Sequence, residues 1–147
     1  MVNDTELTQL VAELLKAQST LALATTADDG SSRVAPLFYV SGDNLRVYWF
    51  SSPSSEHSAN VERNGAAAVT VYPATDQWNE IRGVQMRGTV SVVSDRAKRD
   101  AIEKEYAERF QLGTLFADLI ARSALYVFEP AWVRYIDGIR HFETRMV

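Results

Sequence analysis

Between Arg33 and Asn60 the sequence gathers groups suited to holding an anion. Arg33 opens an otherwise apolar run and Ser51 closes another. A turn rich in Ser and Pro then leads into a segment carrying Ser54, Ser55, His57 and Asn60. A helix beginning at Ser54 or Ser55 presents free backbone N–H groups and the positive end of its dipole, which suit a phosphate. Hydroxyls of Ser51 and Ser55 can add hydrogen bonds, and Arg33 and a protonated His57 can add charge-assisted ones. Two features pull the other way. Ser-rich turns cap helices whether or not anything binds there, and Glu56 places a carboxylate where it competes for the same N–H groups.

Other chemistries lack their residues. There is no cysteine, which excludes disulfides, thiolate nucleophiles and Cys metal ligation. His57 and His141 are the only histidines, too few for a three-His zinc centre, so no metal site is expected. Asp28-Asp29 sits in a turn and Glu103/Glu105 on a charged segment, so neither reads as an acid/base pair. No Gly-x-Ser-x-Gly elbow, Gly-x-Gly-x-x-Gly loop or P-loop is present, and no catalytic residue is assigned. The run from Ile81 alternates instead: Val84, Met86, Val90 and Val92 share one face, and Gln85, Arg87, Thr89 and Ser91 the other. That polar face either meets solvent or lines a cleft in which Gln85 can hydrogen-bond a ring edge.

The elements that must position these groups follow from periodicity. Leu7, Leu10, Val11, Leu14 and Leu15 predict a helix over 3–17, capped by Asn3. Strands are expected over 20–26, 33–40 and 45–51, joined by Asp- and Gly-containing turns into an antiparallel meander. A short helix runs to about Asn64, then strands over 66–72 and 81–93, the latter bending at Gly83 and Gly88. A charged helix over 95–110 buries Ile102, Tyr106 and Phe110. A second covers 114–121, and late strands over 124–129 and 131–136 are separated by Pro130; the tail from 137 is left unassigned. This is a mainly β, α+β pattern of six to seven antiparallel strands with peripheral helices, a small closed or partly closed barrel. Leu37-Phe38-Tyr39 and Val47-Tyr48-Trp49-Phe50 are apolar on both faces, so a helix, a ligand or a second subunit must cover the outer one; a homodimer is expected.

Composition sets the outer bounds. The 147 residues suit one domain, and 46% hydrophobic with 23% charged residues is ordinary for a globular chain. A net charge of −4 argues against nucleic acid and anionic membrane surfaces as partners. The first sixteen residues lack the basic and apolar regions of a signal peptide, and no apolar run approaches the roughly 20 residues that span a bilayer. The expectation is a cytoplasmic protein.

Taken in order, several segments resemble the pyridoxamine 5'-phosphate oxidase-like superfamily, the FMN-binding split β-barrels. They are 32–39 (SRVAPLFY), 47–51 (VYWFS), 55–61 (SEHSANV), 66–71 (AAAVTV), 81–88 (IRGVQMRG) and 133–137 (VRYID), covering about 20 to 147. The resemblance implies a single FMN-binding split-barrel domain over 1–147 and a homodimer with the cofactor at the subunit interface. Arg33 and the backbone of Val34, Ala35, Pro36 and Leu37 would lie along the flavin. Phe50 and Ser51 would sit near the phosphate end, Ser55 and His57 on the phosphate, and Gln85 or the backbone near Gly83 beside the ring.

The sequence also departs from the family. A common Lys or Arg in the phosphate segment is replaced by Glu56 and His57, and 138–142 (GIRHF) does not match the oxidase's substrate-recognition segment. Pyridoxamine phosphate oxidation is therefore not expected. The implied function is an FMN-dependent oxidoreductase passing hydride or electrons to a small molecule, with the flavin carrying the chemistry. The alternatives are a flavin-binding or sensing module without turnover, or a barrel holding a deazaflavin or a haem, the latter with His57 or His141 as axial ligand. Trp132, Arg140 and His141 are weak candidates for the substrate side, since ordinary strand or tail packing explains them better.

Overall fold

The computed structural model describes residues 3–146. The first helix, α1 (Asp4–Ala17), starts where Asn3 Oδ1 accepts the Glu6 N–H at 2.8 Å, and it buries Leu7, Val11, Leu14 and Leu15. Strand β1 (Thr20–Thr26) pairs antiparallel with β2 (Ser32–Phe38). The turn between them needs Gly30, whose φ of 83° lies in the left-handed region.

After β2 the expected meander is broken. A two-residue strand, β3 (Val40–Ser41), forms a hairpin with β4 (Val47–Ser51), but β4 does not pair with β2. The other strands are β5 (Ala66–Val71), β6 (Arg82–Val92), β7 (Ala124–Asp137) and β8 (Arg140–Arg145). The sheet order is β2-β1-β5-β6-β7-β4-β3, with β8 added on β7. Strands β2 and β3 lie at opposite ends of that order, yet only Tyr39 separates them in the chain. Neighbouring strands are about 4.8 Å apart, so one residue cannot cross a flat sheet of this width. The sheet must curl until its two edges meet at Tyr39. The Tyr39 ring is fully buried there, and its hydroxyl donates to the Leu15 carbonyl at 2.6 Å, which holds α1 across the closure.

The described residues form eight strands rather than six or seven. The expected 33–40 strand divides into β2 and β3, and the unassigned tail forms β8 through a turn at Gly138. The two late strands are one, because β7 runs through Pro130. A proline cannot donate to the ladder, and opposite it the β6 register shifts between Arg87 and Gly88. A Cβ on Gly88 would lie 2.0 Å from the Glu129 carbonyl oxygen, so the close approach admits only glycine.

The remaining helices are α2 (Glu56–Arg63), α3 (Arg96–Phe110) and α4 (Thr114–Ala121). The interior core includes Leu23, Trp49, Val69, Met86 and Phe128, closed by α1. A second core lies outside the sheet, where Tyr48, Leu125 and Val127 meet Ile102 and Tyr106 of α3 and Ile120 of α4. Helices thus cover the outer face of β4. The outer face of β2 is covered by α3 only at its end, where the Phe38 ring lies 4.9 Å from that of Phe110; Phe38 is still 54% exposed, and Val34, further along, is 72% exposed. Among the described residues no helix is long and apolar enough to cross a membrane.

Candidate functional site

The anion cluster of the sequence forms where β4 gives way to α2. Ser55, rather than Ser54, caps the helix: its Oγ accepts the Ser58 N–H at 3.4 Å. The His57 ring folds back so that Nε2 lies 2.8 Å from Ser51 Oγ and 3.3 Å from Ser55 Oγ. Burial pushes the His57 pKa below its ordinary value, against an opposing pull from Glu56, and so favours the neutral ring. Arg33 reaches the same place from β2. Its Nε is 3.3 Å from Glu56 Oε1, and its Nη1 donates to Ser31 Oγ. Asn60 does not join the cluster. It is buried, donates to Thr25 Oγ1 at 3.1 Å and accepts from Arg63 at 3.0 Å, which fastens α2 to β1.

Gln85 belongs to a separate place, a groove of about 480 Å³ on the outer face of the sheet. Ala22, Ala24 and Ala68 make a floor of small side chains on which a flat ring can lie close to the sheet. Gln85, Arg87 and Trp132 stand around it. The Arg87 guanidinium lies 4.1 Å from the centre of the Trp132 ring and that of Arg134 5.0 Å, so the indole carries two cations. Arg134 is paired with Glu143 at 2.6 Å. Arg87 makes no ion pair among the described residues and lends the groove a positive charge.

Strand β2 lies between these two places. Its residues alternate, so that Arg33, Ala35 and Leu37 face inward while Val34, Pro36 and Phe38 face outward, with Val34 on the wall of the groove. It pairs only with β1, which leaves the other edge of its backbone free. Phe50 is not with Ser51. Adjacent strand residues point to opposite faces, and the Phe50 ring packs edge-on against Tyr106 with centroids 5.3 Å apart, beside a different, apolar cavity under α3 and α4. Of the three late candidates, only Trp132 reaches the groove. Arg140 pairs with Asp137 at 2.6 Å across the β7–β8 turn, and His141 is exposed on β8.

Sequence reasoning missed Arg134 and the alanine floor. Arg87 was visible only as a member of an alternating polar face. The register places Gln85 opposite Arg134 and Arg87 opposite Trp132, a pairing between distant segments that periodicity does not reveal.

Residues 7–137 match the pyridoxamine 5'-phosphate oxidase family. The chain belongs to that family. No curated protein matches the sequence, but solved split barrels share its fold. A protein related to general stress protein 26, of the pyridoxinephosphate oxidase family, from Clostridium acetobutylicum superposes with a TM-score of 0.74 at 15% identity, covering 98% of this chain and 97% of that one. The haem storage protein HutZ from Vibrio cholerae gives a TM-score of 0.66 at 19% identity, with 88% and 91% covered. A haem-binding protein from Mycobacterium smegmatis gives 0.75 at 16% identity, with 92% of this chain covered and 56% of that one. At these identities the likeness is one of fold.

Proposed function

We propose that this member of the pyridoxamine 5'-phosphate oxidase family binds FMN along the free edge of β2 and acts, as a homodimer, as a flavin-dependent oxidoreductase. The observation that carries the reading is the position of that edge. Its unpaired backbone has the hydroxyl, imidazole and guanidinium cluster on one face of the strand and the flat-floored groove on the other. The donor set suits the group: Ser51, Ser55, His57 and Arg33 can hydrogen-bond a phosphate, and the backbone of Val34 to Leu37 offers donors and acceptors to a ring edge. Gln85 and Arg87 suit the carbonyls of a ring lying in the groove.

When bound, the flavin supplies hydride or electron transfer, while the protein binds it, orients it and keeps water away. A second copy laid over the outer face would cover Val34, Pro36 and Phe38, which this chain leaves exposed, and would roof the open groove. The exposed apolar area on this face is the kind that marks an interface. Purified protein tests the reading directly. Flavin absorbance, or its appearance on adding FMN, together with a dimeric mass, is the expected result. Bleaching of that absorbance by NADH or NADPH separates an oxidoreductase from a passive binder. A colourless protein that fails to take up FMN overturns it.

A second reading is haem, favoured by the fold neighbours described as haem-binding and haem-storage proteins. Beside the same groove, Arg87 suits a carboxylate, and Arg134 is already paired with Glu143. An axial role for His57 is opposed by its contact with Ser51, and His141, exposed on β8, does not line the groove. A Soret band on adding haemin, with no uptake of FMN, would decide for haem.

A further inference from the structure

One member of the anion cluster has no part in the reading above. Glu56, the first residue of α2, places Oε1 3.3 Å from Arg33 Nε. Both side chains are well exposed, 40% for Arg33 and 63% for Glu56. A solvated pair of this kind contributes little to folding, and its consequence is instead for what can bind. Among the described residues Arg33 is the one formal cation in the cluster: Arg63 is turned to Asn60 and the Thr26 carbonyl, and burial favours the neutral form of His57. With Glu56 ionised the cluster carries no net charge. A phosphate monoester brings about 1.5 to 2 negative charges at neutral pH. The positive end of the α2 dipole, which favours an anion, already has a carboxylate on its first residue.

We propose that Glu56 is a specificity-determining residue: it engages the guanidinium that would otherwise take the phosphate, so the site holds flavin chiefly through its ring and prefers FMN to riboflavin only weakly. This rests on the flavin reading, and the two can fail separately. A unit charge about 6 Å from a dianion in a water-like dielectric changes a binding constant about tenfold. That sets the size of the effect.

The experiment titrates the full-length, flavin-free protein with FMN and with riboflavin, following quenching of flavin fluorescence, for the wild type, Glu56→Gln and Glu56→Lys. Thermal melting confirms that the variants fold, as the exposure of Glu56 leads one to expect. The proposal expects wild-type affinities for the two flavins within about fivefold, and FMN binding tightened about tenfold in Glu56→Gln and further in Glu56→Lys, with riboflavin unchanged. The gain should shrink as salt is added, because the charges are exposed. If FMN binds the wild type and Glu56→Gln equally, or the wild type already prefers FMN about a hundredfold, the role of Glu56 is overturned while the flavin reading stands. If neither flavin binds any of the three proteins, both fall.

Discussion

At the scale of single residues, the cluster at the start of α2 combines hydrogen-bonding capacity with little charge. Arg33 supplies its only cation among the described residues, and removing it leaves Glu56 unopposed beside any bound phosphate. Arg33→Ala should therefore weaken FMN binding about tenfold, the effect of one uncompensated negative charge near a phosphate. Arg99→Ala, a change on the α3 side against Phe50, should leave the affinity unchanged. Equal losses in a fluorescence titration would place Arg33 away from the phosphate. His57 makes a second prediction. Burial lowers its folded-state pKa, so the unfolded chain binds the proton first as pH falls. The folded state then loses stability as pH drops from the ordinary histidine range through the lowered folded value. Denaturant midpoints should fall over that window in the wild type, and the slope should flatten in His57→Gln. An identical slope in both proteins would assign the effect to other groups.

At the scale of elements, most helices and strands were readable from local pattern, because caps, turns and periodicity act over a few residues. Asn3 capping α1 and the stripe of Ile102 and Tyr106 on α3 are where the spacing put them. The errors arose where long-range pairing overrode a local signal. Pro130 reads as a strand breaker, yet β7 continues through it because the shift at Gly88 absorbs the missing donor. Gly88 is the residue that this arrangement cannot replace. Gly88→Ala should destabilise the fold by about 1–3 kcal/mol or more, the range for strain at a closely packed backbone position. Gly113→Ala, where an added Cβ meets nothing within 4 Å and φ is −79°, should cost no more than about 1 kcal/mol, the loss of a glycine N-cap on α4. Urea unfolding of the two variants separates the cases, and a Gly88→Ala midpoint like that of the wild type would contradict the account.

At the scale of the whole molecule, the two apolar strands singled out by composition are completed differently. The outer face of β4 is covered by α3 and α4 of the same chain, whereas that of β2 meets α3 only at Phe38 and is open around Val34. If a second copy covers β2, a charge in the middle of that face should disrupt the assembly without disturbing the fold. Val34→Lys is the suitable variant, since Val34 is 72% exposed within the chain. Sedimentation should show a dimer for the wild type and a shift to monomer for Val34→Lys, with similar thermal melting at low concentration. A wild-type monomer, or a variant that stays dimeric, would remove the homodimer from the proposed function.

The amino-acid order by itself determined the α+β pattern, the family and the residues at the start of α2. Ser51, Ser55 and His57 are close in the chain, so one turn and one cap suffice to bring them together. Phe50 and Ser51, expected together near the phosphate end, face opposite ways on β4, so only Ser51 joins the cluster. The tertiary structure alone decided that β2 is an edge rather than the neighbour of β4, that Arg33 meets Glu56, and that Gln85 and Arg87 share a groove with Trp132 and Arg134. Each of these depends on which strands become neighbours when the sheet curls to closure at Tyr39. That choice is made by burial summed over the whole core, which no short window of sequence contains.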